Sequence, residues 1–87
     1  MKNEDLKPYE PKSFFKMAEE GRTVKGFIVL FDNKANQIVP PKGGQITPFI
    51  EDQGGTFQHW LVISDEKNQE VARQNTANTS YILWNEE

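Results

Sequence analysis

The sequence predicts an α+β fold that is mostly β: one short N-terminal helix packed on a rolled antiparallel sheet or small barrel of five to six strands. Three observations predict it. Two runs rich in β-branched and aromatic residues, 23–31 and 56–63, have strand composition. A polar turn cluster follows each run, and a shorter segment returns after each turn. Ahead of both, Phe14, Met17 and Ala18 fall at i, i+3 and i+4, the spacing of one helix face.

Taken in order, residues 1–12 read as an extended arm and 13–87 as a single globular domain. Pro8 and Pro11 disfavour helix at the residues before them. Ser13 suits the N-cap of a helix over 14–20, and Gly21 suits its left-handed C-terminal position. Two turns of helix are unstable alone in water, so this one must pack on the sheet. Phe14 and Phe15 read as a core anchor, with a partner-binding patch as the other reading.

The strand over 23–31 contains Gly26, which marks a bulge or the close approach of another backbone. Asp32 to Asn36 is turn chemistry, and Gln37-Ile38-Val39 pairs back to make a hairpin. Residues 40–55 read as irregular. Two Gly-Gly pairs flank an apolar segment that Pro48 demotes to an edge strand, and the whole reads as a loop able to close over a ligand or partner. Residues 56–63 form a second central strand, 64–69 a turn and 70–73 its return. A last strand or helical turn near Tyr81-Ile82-Leu83-Trp84 places Ile82 or Leu83 in the core.

Composition narrows the function. The 87 residues hold no cysteine, which removes disulfides, thiolate metal sites and thiol nucleophiles, and fits a cytoplasmic location. A net charge of -3 with scattered lysines is neither the basic stripe of a nucleic-acid binder nor the dense acidity of a DNA mimic. No segment has the length of apolar sequence that spans a bilayer, and the charged start Met1 to Pro8 does not read as a secretory signal. With only 36% apolar residues the core must be small, which makes assembly a further source of stability.

Catalysis finds little support. His59 is the only histidine and has no neighbours at ligand spacing, so it reads as a sheet-surface or core-edge residue. No serine sits in a nucleophile elbow. Neither metal nor cofactor is implied. Binding finds more. Six of the seven residues from Gln74 to Ser80 carry a hydroxyl or carboxamide, groups that both donate and accept. Tyr81 and Trp84 follow with faces that can stack on a base, and Arg73 precedes with a forked donor for phosphate. The candidate ligand set is Arg22, Arg73, Asn75, Asn78, Thr79, Ser80, Tyr81 and Trp84. In the alternative reading, Phe49 and Ile50 of the 40–55 segment are presented to a protein partner.

Two phrases carry a family resemblance. Glu20-Gly21-Arg22-Thr23-Val24 follows the helix, and Thr76-Ala77-Asn78-Thr79-Ser80-Tyr81-Ile82-Leu83-Trp84-Asn85-Glu86 stands near the C-terminus. Between them stand Leu61-Val62-Ile63-Ser64-Asp65 and Gln69-Glu70-Val71. This order resembles the second class of phage Thoeris anti-defence proteins. Lys25-Gly26-Phe27 stands where that family carries a basic residue and a Trp, and Leu83 where it carries an Asp. The resemblance implies a non-enzymatic sponge that forms homo-oligomers and sequesters a cyclic nucleotide immune signal in pockets between subunits. The alternative is a small inhibitor, similar in role to an anti-CRISPR, that binds a host defence protein.

Overall fold

The computed structural model describes residues 6–84. Met1 to Asp5 of the predicted arm, and Asn85 and Glu86 of the terminal phrase, lie outside the described residues. The fold is mostly β: among the described residues there are one helix, α1 (Pro11–Glu20), and seven strands. The strands are β1 (Leu6–Pro8), β2 (Val24–Phe31), β3 (Lys34–Ile38), β4 (Gln45–Gln53), β5 (Thr56–Ser64), β6 (Glu70–Asn75) and β7 (Thr79–Trp84). They form one open antiparallel sheet in the order β1-β7-β2-β4-β5-β6, with β3 also paired to β2. β2 is the branch point: its first residue, Val24, pairs with Ile46 of β4, and Phe27 to Phe31 pair with β3.

The sheet is therefore not closed, and it has seven strands in place of five or six. The additional strand is β1, in the segment read as an extended arm: Leu6, Lys7 and Pro8 pair with Leu83, Ile82 and Tyr81. The helix also starts earlier than Phe14. Pro11 occupies its first turn, where a missing N–H costs nothing, and Glu10 before it is extended. Ser13 is thus inside the helix, its hydroxyl donating to Glu10 Oε1 at 3.3 Å. The C-terminus closes as the sequence predicts. Gly21 is left-handed, its N–H reaches Ala18, and the Arg22 N–H reaches Met17.

Residues 40–55 differ most from expectation. In place of a short edge strand inside a loop, Gln45 to Gln53 form a nine-residue strand within the sheet, paired along its length with β5. Beyond Ile46, β4 has no pairing with β2 among the described residues, and that one-sided stretch is where Pro48 is tolerated. Gly54 and Gly55 make a two-residue hairpin turn with both φ angles positive, a conformation that glycine adopts without strain. Asp32 and Asn33 do the same between β2 and β3, so that turn is two residues long and β3 begins at Lys34.

Strand alternation sends one face of the sheet to the core. Phe27 and Val29, Ile46, Leu61 and Ile63, and Ile82 pack with Phe14 from α1 and with Val24. Gly26 serves both predicted roles: the β2–β7 register shifts beside it, and a Cβ there would lie 2.9 Å from the Ile38 carbonyl oxygen.

Candidate functional site

The sheet face opposite the core is not uniformly polar. Antiparallel sheets with one solvated face normally alternate apolar and polar residues, yet Tyr81, Leu30 and Phe49 are large, exposed and set out of phase with the core residues of their strands. The chemistry concentrates where β4, β5 and β6 run side by side. The Gly54-Gly55 turn fixes the register that sets Phe49 directly opposite Trp60. On the next strand Asn75 stands opposite Trp60, and Arg73 opposite Val62. The Arg73 guanidinium carbon lies 5.6 Å from the Trp60 ring centroid and 5.9 Å from that of Phe49. Both are within cation–π range.

Two carboxylates hold this arrangement. Trp60 Nε1–H donates to Glu51 Oε1 at 3.0 Å. Arg73 Nε and Nη2 donate to the two oxygens of Glu70, each at 2.7 Å. The Arg73 hydrogen bonds push the Glu70 carboxyl below its ordinary range. The same bonds, with the charge of Glu51 as a lesser cause, raise Arg73.

That Glu70 and Arg73 meet at all follows from a defect in the ladder. Residues three apart on a regular strand point to opposite faces. The β5–β6 register passes from Ile63↔Ala72 to Ser64↔Glu70, leaving Val71 as an extra, unpaired residue. A bulge of this kind re-aims the residues beyond it, and here it returns Glu70 to the face that carries Arg73.

The predicted ligand residues divide into separate places. Arg73 and Asn75 lie on β6 beside the aromatic pair. The Asn75 amide is committed: Nδ2 donates to Gln58 Oε1 at 3.1 Å, and Oδ1 accepts the Ala77 N–H at 2.9 Å. Asn78 is exposed on the single 3-10 turn Thr76–Asn78. Thr79, Ser80, Tyr81 and Trp84 are on β7, between β1 and β2 and away from β6 in the strand order. Thr79 is buried with its Oγ1 unpaired, and the Ser80 carbonyl accepts the Tyr9 N–H. Tyr81 is exposed opposite Ile28, whereas Trp84 packs against the core. Arg22 sits beyond the end of α1, 3.5 Å from Glu20 Oε1, with Nη1 against Met17 Sδ at 3.4 Å. The hydroxyl-rich stretch is thus the end of one strand, a turn and the start of another.

Phe49 and Ile50 are likewise split by alternation, since Phe49 is 43% exposed and Ile50 packs against the core. Phe14 is wholly buried, whereas Phe15 meets Phe57 edge to face at 6.5 Å. Trp60, Glu51 and Glu70 are the site residues that sequence reasoning missed. The Gly-Gly hairpin was the signal that could have placed Trp60 against Phe49.

A second polar cluster lies at the core edge. The Thr76 hydroxyl donates to the Tyr9 oxygen at 3.1 Å, and the Tyr9 hydroxyl lies 3.0 Å from His59 Nδ1. The His59 ring stacks on Phe14 with centroids 4.9 Å apart. Burial pushes His59 below its ordinary value and Tyr9 above its own. Among the described residues no three His, Asp or Glu side chains group as a metal site, and no helix is long and apolar enough to cross a membrane. In comparison with known proteins, no family, curated protein or solved structure matches the chain.

Proposed function

We propose that this chain is a phage-type anti-defence protein that binds a nucleotide-derived immune signal and sequesters it without chemistry, working as a cytoplasmic homo-oligomer. The observation that carries the reading is Arg73 poised over the paired rings of Phe49 and Trp60. Aromatic faces stack on any base, and a guanidinium supplies donors for a phosphate. Both stand on strands, whose rigidity limits the ordering cost of binding. Each copy offers an open face, so a second copy, presenting Tyr81 or its own aromatic pair, completes the enclosure. The resemblance of Glu20 to Val24 and of Thr76 to Trp84 to Thoeris anti-defence phrases supplies the ligand class.

Calorimetric titration with a panel of cyclic nucleotides tests the proposal, with Trp60→Ala and Arg73→Ala measured alongside. Loss of a stacking partner weakens binding by about 5- to 100-fold. No uptake of any member by the unaltered protein sinks it.

The exposed apolar side chains of the same face favour a second reading, a protein-binding inhibitor of a host defence enzyme. Trp and Arg anchors are typical of such interfaces. A light-scattering mass of one chain, together with silent nucleotide titrations, favours this reading.

A further inference from the structure

The Glu70–Arg73 pair is built in a way that bears on how the aromatic–arginine face is used. It exists only because Val71 is left out of the ladder. Without that bulge Glu70 would project toward the opposite face and Arg73 would lose its partner. The carboxylate takes the Nε and Nη2 donors together, the parallel two-bond geometry by which a guanidinium also grips a phosphate. Both side chains remain open to water, at 38% and 41% exposure. Because both partners are open to water, the pair can be exchanged for another anion without leaving a buried charge unpaired. Glu51 is differently placed: it accepts from Trp60 and makes no hydrogen bond to Arg73. Of the two carboxylates, only Glu70 occupies donors that a ligand needs.

We propose that Glu70 is an internal competitor for Arg73: it holds the guanidinium over Phe49 and Trp60 while the face is empty, and an incoming phosphate oxyanion displaces it. The proposal rests on the nucleotide reading for the ligand that does the displacing. Glu70 acts through Arg73 and does not itself contact the ligand, so it is a positioning residue. It lowers affinity for every anion that uses Arg73 and leaves neutral nucleosides unaffected.

The test compares the unaltered protein with Glu70→Gln and Glu70→Ala by calorimetry against cyclic AMP, adenosine and inorganic pyrophosphate. Thermal midpoints verify that both variants fold. The expected result is tighter binding of cyclic AMP and pyrophosphate by about two- to fivefold, the strength of an exposed pair, with adenosine unchanged. Equal affinity of all three proteins for cyclic AMP overturns the competitor and leaves the nucleotide reading standing. Tighter pyrophosphate binding by the variants, with no cyclic AMP bound by any, supports the competitor and removes cyclic AMP as the ligand. A tightening for adenosine equal to that for cyclic AMP overturns the role of charge. Binding of no probe by any protein overturns the competitor and counts against the nucleotide reading.

Discussion

The Tyr9 hydroxyl and His59 Nδ1 stand 3.0 Å apart, joining two side chains fifty positions distant in the chain. Thr76 donates to the same tyrosine oxygen, so Tyr9 is free to donate its own proton to a neutral imidazole. This chain of hydrogen bonds ties the segment before α1 to β5 and to the 3-10 turn. Tyr9→Phe retains the ring's edge-on contact with Phe14 at 5.8 Å and removes only the hydroxyl. It should cost about 0.5–1.5 kcal/mol in urea unfolding. A midpoint that does not move would show that the hydroxyl contributes nothing to the fold.

Burial of His59 gives the stability a pH dependence. Burial holds the folded-state pKa of His59 below its ordinary 6.5. The unfolded chain therefore binds more protons in the window between the lowered value and 6.5, and stability rises with pH there. The full contribution is present above pH 6.5 and declines as pH falls through that window. Protonation also turns Nδ1 into a donor facing the Tyr9 oxygen, which opposes the present bond direction. Thermal midpoints measured from pH 7.5 to 5 should fall, and His59→Gln should remove the part of that fall due to this residue.

How far the sequence foretold this structure depends on whether a feature is local. The central strands β2 and β5 were legible because Phe27 to Phe31 and Trp60 to Ile63 are β-branched, aliphatic or aromatic, and Gly21 marked the helix end because only its backbone freedom was needed. β1 was illegible, since Lys7 and Pro8 have no strand preference and are ordered by β7 alone. β4 was read only as a short edge strand, because Pro48 and two Gly-Gly pairs are loop signals unless the far side of the strand is unpaired and the glycines form a tight hairpin turn. The site was half legible. Arg73, Asn75 and Phe49 were singled out individually, but their meeting depends on the β4–β5–β6 registers and the bulge at Val71, which no window of sequence encodes.

Two glycines of the β4 region should respond oppositely in origin and unequally in size. A Cβ at Gly44 would run into the Ser64 carbonyl oxygen, a contact that only a backbone shift can relieve. Gly44→Ala should cost about 2–3 kcal/mol, as overpacking does. Gly54, with φ of +65°, meets nothing within 4 Å. Gly54→Ala carries only the left-handed penalty of about 1 kcal/mol. Chemical denaturation of both variants checks the order, and equal losses would contradict the close approach at Gly44.

Adjacent phenylalanines on α1 provide the sharpest contrast. Phe14 is fully buried, stacked flat on His59 and edge-on to Tyr9, and it is the only fully buried side chain that the described helix supplies to the core. Phe14→Ala should cost about 3–5 kcal/mol through lost burial and the cavity left behind. That is a large share of the roughly 4–13 kcal/mol expected for a domain of this size. Phe15 is 40% exposed, and its edge-to-face contact with Phe57 is worth about 0.5–1.5 kcal/mol at most. Phe15→Ala should therefore cost clearly less than Phe14→Ala. Removing Phe14 also opens His59 to water, so the imidazole pKa should return toward 6.5 in whatever fraction remains folded. Titration of the His59 ring protons by NMR measures this directly. An unchanged pKa in folded Phe14→Ala would mean that the Phe14 ring is not what keeps water from His59.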